Sequence, residues 1–221
     1  MINPRFLPKQ SQRVFKILTQ LPIWDDFYIG GGTGLILRFG HRLSADFDLF
    51  SPTNRLSSPE RRLLYSWLKK AGKTVVESTR EGSFRLTFEG VTLGFFYYDY
   101  PLIAPLERYG KVKVASLEDI ALMKIAAIIG RGSKKDFVDL YFILKKGGIG
   151  LAKLLSLARK KFPHVRDVAI QALQALTYFT DAETETIQGK LKMAKPIAWQ
   201  KIKSFLISEV TKYARAVLGI K

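Results

Sequence analysis

Apolar residues Val14, Ile17, Leu18 and Leu21 recur at helical spacing and predict an amphipathic helix over residues 9–21. Residues 26–30 (DFYIG) read as a short strand that runs into three glycines, followed by a short helix over 33–39 stopped by Gly40. Residues 45–50 (ADFDLF) alternate, with Asp46 and Asp48 on one face and Phe47 and Leu49 on the other, which predicts a strand with an acidic side. Ser58-Pro59-Glu60 is a helix start, with Ser58 as N-cap, and the helix runs to about Ala71 before Gly72. Three β-rich runs follow at 74–79, 83–89 and 91–98, the last two joined by a Glu89-Gly90 hairpin turn. Lys111 to Val114 is a further short strand. Ser116 and Asp119 have capping-box spacing and open a helix to about Ile129, which Gly130 and Gly132 break; the next helix covers 134–145.

Gly147, Gly148 and Gly150 read as a linker. Beyond it the pattern is helical at 151–161, 165–178 and 197–218, with a polar Thr/Glu loop near 180–190. The expected class is therefore α+β: a small mixed β-sheet flanked by helices over residues 1–146, then a helical domain over 151–221.

Composition narrows the chemistry. The 221 residues are 47% hydrophobic and 25% charged, so a folded core is expected rather than disorder. With no cysteine, disulfide scaffolds, thiolate zinc sites and cysteine nucleophiles are excluded, and the only histidines are His41 and His164. No apolar run is long enough to span a membrane, and the N-terminal residues lack the apolar stretch of a signal peptide, so a cytoplasmic protein is expected. The formal charge is +17. Residues 146–221 carry fourteen basic against five acidic residues, so this half of the chain holds the denser positive charge. Such an excess favours a polyanionic partner.

One block, residues 28–50 (YIGGGTGLILRFGHRLSADFDLF), combines strand, glycine turn, helix and Asp-x-Asp strand. Gly30 to Gly32 let the backbone approach a ligand closely, and their N–H groups at a helix N-terminus suit a phosphate. Asp46 and Asp48 point the same way, and two such carboxylates suit a pair of Mg²⁺ ions about 4 Å apart. Each part alone has a plain structural reading, a turn or a solvated strand face; the ordered combination is more specific.

The spacing GG-T-x12-D-x-D resembles the signature of the DNA polymerase β-like nucleotidyltransferase superfamily. The string GGTGLILRFGHRLSADFDLF, together with ALMKIAAIIGRGSKKDFVDLYFIL, is similar to the AbiEii toxin nucleotidyltransferases of bacterial type IV toxin–antitoxin and abortive-infection systems. The resemblance covers most of the chain and implies roles by position. Gly31, Gly32 and Thr33 match the turn that holds the triphosphate of an NTP substrate, whether ATP, GTP or CTP. Asp46 and Asp48 match the pair that binds Mg²⁺ or Mn²⁺. His41, Arg42 and Ser44 match a segment just before the acids, with Arg42 the phosphate contact by virtue of its forked guanidinium and His41 either a participant or a helix-end partner. Lys124 is implied on the triphosphate, the alternative being a lysine that snorkels from the core edge. Arg131, seven residues on, shares its face. Asp136 and Asp139 lie at i and i+3; one matches a late acidic residue of the family, the other is left to orient Lys124 or Arg131, and the spacing does not choose between them.

One departure stands out. The resemblance implies a third carboxylate, often found in that superfamily near the position of Gly94, which here has no side chain; Glu89 precedes that strand and Asp99 follows on the opposite pleat phase. The aromatic run Phe95-Phe96-Tyr97-Tyr98-Asp99-Tyr100 is either core and edge packing or a surface on which bases stack. Basic residues Lys153, Arg159, Lys160, Lys161, Lys190, Lys192, Lys195, Lys201 and Lys203 either track a phosphate backbone or line ordinary solvated helices. The resemblance and the charge together imply a nucleotidyltransferase acting on RNA, such as a tRNA 3′ end, restrained by a separately encoded antitoxin. The alternatives are a weakly active or inactive nucleotide- or RNA-binding homologue, favoured by the missing acid, and a small-molecule nucleotidyltransferase.

Overall fold

A computed structural model describes residues 2–184 and 191–219. The chain forms two compact units, one holding the residues up to Pro101 together with Pro105–Ser116, the other holding Leu102–Ala104 and the chain from Leu117 onward. The glycine linker at 147–150 is not where these units divide. Helices α4 (Leu117–Arg131) and α5 (Lys134–Lys146) pack with the helices that follow them. The reason lies in α4, whose buried residues include Ile120, Leu122, Ile125 and Ile128 and which contacts α5, α6 (Leu151–Lys161) and α7 (Val168–Ala175).

The first unit is built on a seven-stranded mixed sheet. Its strands are β1 (Tyr28–Ile29), β2 (Phe47–Ser51), β3 (Thr74–Arg80), β4 (Ser83–Phe88), β5 (Val91–Tyr97), β6 (Glu107–Tyr109) and β7 (Val112–Val114). Their order is β3-β4-β5-β2-β1-β7-β6, with β2 parallel to β5 and β1 parallel to β7. Alternation decides which side of the sheet is core. Phe84, Leu86, Phe88, Leu93, Phe95, Phe47 and Leu49 all face one cluster, joined there by Val14, Phe15 and Leu18 of α1 (Lys9–Leu18) and by Leu64 and Leu68 of α3 (Ser58–Ala71). Burying a side chain of this size contributes about 2 kcal/mol each before entropy is counted.

Several boundaries differ from the expectation. Helix α2 (Gly31–Phe39) starts inside the glycine run, and Gly40 ends it in the left-handed conformation at φ 54°. The residue that precedes α3 is Ser57, not Ser58: Glu60, three residues on, accepts the Ser57 N–H at 2.6 Å. Gly130 does not break α4; the helix continues to Arg131 and Gly132 ends it, at φ 58°. A single glycine inside a helix costs only about 1 kcal/mol, which the packed face of α4 outweighs. Helix α7 starts only at Val168 because Asp167 before it is left-handed (φ 50°). Part of the expected polar loop is a helical turn, α8 (Thr180–Thr184), while residues 185–190 of that loop, Lys190 included, lie outside the described residues.

The second unit ends in α9 (Trp199–Leu218). Phe137 on α5 packs against Phe179 at 5.2 Å and Trp199 at 5.9 Å between ring centroids. Among the described residues no helix is long and apolar enough to cross a membrane.

Candidate active site

The residues singled out by sequence fall into two groups, one in each unit. In the first, the glycine turn is fastened to the Asp-x-Asp strand. Gly30 N–H donates to the Asp48 carbonyl at 3.1 Å. Gly31 has φ 56°, and a Cβ there would come 3.2 Å from Asp48 Oδ2, so glycine is needed twice, for the backbone angle and for the approach of the carboxylate. A Cβ on Gly32 would overlap the guanidinium of Arg42, which is buried at 5% exposure and lies directly on the turn. Asp46, Asp48, Arg42 and the first turn of α2 are thus neighbours. The positive end of a nine-residue helix with no acid in its first turn stands beside Asp48.

Asp46 lies one residue before β2 and is exposed, while Asp48 is partly exposed. Two hydroxyls hold the backbone that presents them: Thr33 Oγ1 donates to the Asp46 carbonyl and Ser11 Oγ to the Ala45 carbonyl, the latter at 2.9 Å. Thr33 is 1% exposed, so its hydroxyl works on the acid-bearing segment, where sequence had suggested a triphosphate contact. Ser11 was not singled out by sequence. Nor was Arg38, which reaches from α2 to the Ala115 carbonyl at 2.5 Å, the Gly34 carbonyl at 2.7 Å and Glu107 at 2.9 Å, fixing the helix that carries the turn. Ser44 is half-buried; His41 is buried and meets Phe39 edge-on at 6.4 Å.

Register places Gly94, where the resemblance implies a third acid, beside Asp48. Asp48 pairs directly with Gly94 across β2 and β5. A Cβ on Gly94 would come 3.4 Å from Asp48 Oδ1 but would first run into the ring of Phe96, which folds back over the glycine. Neither suggested substitute lies in this row. Glu89 sits in the β4–β5 turn, where its carboxylate accepts the Lys73 N–H at 2.5 Å, and Asp99 is exposed beyond the end of β5. Among the described residues no group of three or more His, Cys, Asp or Glu is arranged to hold a metal ion. Two carboxylates beside the N–H groups of a helix N-terminus still fit Mg²⁺, which commonly takes one or two protein carboxylates and completes its shell with water and substrate phosphates.

The second group is closed on itself. Lys124, 4% exposed on α4, places Nζ 2.8 Å from Asp136 Oδ1 and 2.6 Å from Asp139 Oδ2, both carboxylates fully buried on α5. Arg131 adds Nε and Nη2 to Asp136 Oδ2, each at 2.8 Å. Lys124 is therefore not a lysine snorkelling from the core edge, and both aspartates hold it. A second buried pair supports the same unit. Lys161 meets Asp119 at 2.7 Å with both side chains fully buried, and Asp119 also accepts the N–H groups of Ile103 (3.0 Å) and Ala104 (3.2 Å). Lys161 is thus removed from any surface that tracks a phosphate backbone, while Lys153, Arg159, Lys160, Lys192, Lys195 and Lys201 are exposed. Lys203 is engaged by Glu183 at 2.6 Å.

Comparison with known proteins shows the family and the fold. The family model described as nucleotidyl transferase AbiEii toxin, type IV TA system, matches residues 15–218. An uncharacterized protein of Aquifex aeolicus (strain VF5), aq_aa25, is 33% identical over 218 residues, covering 95% of this chain and 98% of that protein. Among solved structures, a putative nucleotidyltransferase from H. pylori is similar in fold, with a TM-score of 0.56 at 15% identity over 97% of this chain and 99% of that one. The structure of ANT(2″)-Ia in complex with adenylyl-2″-tobramycin gives a TM-score of 0.50 at 18% identity, covering 68% of this chain and 95% of that one.

Proposed function

This chain belongs to the AbiEii family of nucleotidyl transferase toxins, and we propose that it moves a nucleoside monophosphate from an NTP to a hydroxyl at the end of an RNA. The observation that carries this reading is the fastening of the glycine turn to Asp48, with Arg42 laid on Gly32. The N–H groups of Gly31, Gly32 and Thr33 at the start of α2 receive phosphate oxygens, and Arg42 contributes a two-pronged donor beside them. Asp46 and Asp48 would hold Mg²⁺ or Mn²⁺, which when bound offsets the charge of carboxylates and triphosphate and polarises the phosphoryl group. Thr33 and Ser11 keep the two acids in place. The acceptor oxygen forms a bond to the α-phosphorus, the bond from that phosphorus to the bridging oxygen breaks, pyrophosphate leaves, and the hydroxyl proton passes to solvent. Asp136 and Asp139 hold the Lys124 ammonium, with Arg131 on the outer oxygen of Asp136, and brace the second unit from within. The family's description as a type IV toxin supports toxicity checked by a separately encoded antitoxin.

A second reading has one specific observation in its favour. The ring of Phe96 fills the space over Gly94, where the resemblance implies a third acid, which suits a nucleotide- or RNA-binding homologue without turnover. Label transfer separates the two. The protein is incubated with each α-labelled NTP, Mg²⁺ or Mn²⁺, and total tRNA, beside an Asp46→Ala/Asp48→Ala control. Label on RNA that is absent in the control is the expected result; nucleotide binding without transfer to any acceptor would replace the transferase with the binding module.

A further inference from the structure

The sheet of the first unit has one core face and one face that carries Asp48, and the second is organised in rows. Cross-strand partners point to the same side, so Ser78, Arg85, Gly94 and Asp48 form one row. Arg80, Ser83, Phe96 and Phe50 form the next, two residues along each strand and about 7 Å away. In these two rows the large side chains other than Asp48 are aromatic or basic. Phe96 stacks on Phe50 at 5.4 Å, Phe50 meets Tyr98 edge-on at 5.5 Å, and Tyr98 meets Tyr100 at 4.9 Å. Phe50, Phe96, Tyr98 and Tyr100 are half-buried, whereas Phe95, one residue from Phe96, is wholly in the core. Arg85 and Arg80 are exposed. The acids on this side are Asp46, Asp48 and Glu77, and Glu77 accepts a hydrogen bond from Thr87. The aromatic run is therefore split by the pleat: half of it is packing, and half is a surface that begins where a third carboxylate is missing.

We propose that this face seats the acceptor as a single-stranded RNA end, with its last bases stacked on Phe96 and Tyr98 and its phosphates met by Arg85 and Arg80. Three observations select this occupant. The half-exposed rings of Phe96, one sheet row from Asp48, and of Tyr98 offer π-surface to bases of any identity, backed by Phe50, which is stacked between Phe96 and Tyr28. Two arginines that continue the rows outward match a chain of phosphates rather than one nucleotide. The whole chain carries +17, which complements a polyanion. Duplex RNA presents its bases edge-on inside a helix and cannot stack on the strip. The proposal rests on the transferase reading only for what happens at Asp48; the seat itself is measured without turnover.

The test uses the full chain and a short fluorescent single-stranded RNA, with dissociation constants read by anisotropy for that RNA and by calorimetry for Mg²⁺-NTP. Phe96→Leu keeps an apolar side chain over Gly94, and Tyr98→Leu is a second variant less committed to packing. Each is expected to weaken single-stranded RNA binding about tenfold or more while NTP binding changes less than about twofold. Arg85→Ala is expected to flatten the dependence of log K on log salt by about 0.7. A weakened NTP affinity equal to the RNA loss would overturn the proposal and make the strip the seat of the substrate's own base. Unchanged RNA affinity in both ring variants, or equal competition by duplex RNA, would also overturn it. RNA binding that depends on Phe96 in a protein that transfers no label would keep the seat and remove the transferase, so the two ideas fail separately.

Discussion

Asp46/Asp48 and Asp136/Asp139 are both pairs of carboxylates set on one side of an element, and they have opposite fates. The first pair sits at i and i+2 at the start of a strand, where Asp46 is exposed and Asp48 partly so, beside a helix N-terminus and a glycine turn. The second sits at i and i+3 on a helix, fully buried, with the Lys124 ammonium bonded to both acids. Spacing alone makes the two pairs look equivalent as places for a cation. Surroundings decide: the buried pair has its cation supplied by the chain, whereas the first pair keeps contact with solvent, and on the proposed function its cation comes from outside. Charges removed from water must be compensated from within, whereas charges left at the surface remain available to a ligand.

The largest effects should separate the pairs by what is lost. Asp48→Asn is expected to lower label transfer by at least about a thousandfold, since it removes charge where the transition state needs it. Its stability in urea should change by no more than about 0.5 kcal/mol, as for other surface substitutions. A comparable fall in stability would mean that Asp48 is a structural acid like Asp136. Lys124→Met is expected to do the reverse first, destabilising by about 3–5 kcal/mol because two carboxylates remain buried without their ammonium. Adding Asp136→Asn and Asp139→Asn to that variant should restore much of the loss. If the triple variant is no more stable than Lys124→Met alone, charge compensation is not what holds α4 against α5.

How much of this contrast was legible in the sequence depended on distance along the chain. The glycine turn, the Asp-x-Asp strand and the β4–β5 hairpin are local patterns, and the hairpin even carries its turn, with Glu89 and Gly90 both at positive φ (49° and 76°) as a tight two-residue connection requires. Strand β6, three residues that are largely polar and exposed, offered no alternation to read and exists because it pairs with β7. The choice of Ser57 over Ser58 was readable, since only Ser57 has a glutamate three residues later. Lys161 with Asp119, forty-two residues apart, could not be paired from sequence, and neither could Arg42 with Gly32, because the chain must fold back before either contact exists. The place of Phe96 lay between these cases. Its alternation with Phe95 was visible, but its ring over Gly94 was not.

A smaller perturbation sharpens the reading of the first group. Gly32→Ala adds one methyl where the Arg42 guanidinium lies, and the far end of a flexible side chain can move aside. Alanine is also the better helix former by about 1 kcal/mol. The variant is therefore expected to be as stable as the parent or slightly more so, and to transfer label about tenfold more slowly because Arg42 is displaced from the phosphates. Gly31→Ala should instead lose about 1 kcal/mol of stability, since its φ of 56° is unfavourable for any L side chain. Equal activity losses with unequal stability would locate the function in the turn; undiminished activity in Gly32→Ala would remove Arg42 from it.

The smallest expected effect concerns an acid outside both pairs. The carboxyl of Glu60 is held below the usual carboxylate range chiefly by its hydrogen bonding to Ser57 at the start of α3. A pKa that is lower in the folded than in the unfolded chain contributes stability that is fully present above the unfolded value, here near 4.5, and is lost as the pH falls through the folded one. The wild-type chain should therefore lose a little more stability between neutral pH and pH 4 than Glu60→Gln, which keeps an acceptor for the Ser57 N–H but has no proton to take up. Because Glu60 is largely solvated, the difference should be far smaller than any produced at Lys124. A steeper acid limb in Glu60→Gln than in wild type would show that the hydrogen bond to Ser57 does not favour the charged form, and α3 would then owe its start to Pro59 and its buried Leu64 and Leu68 alone.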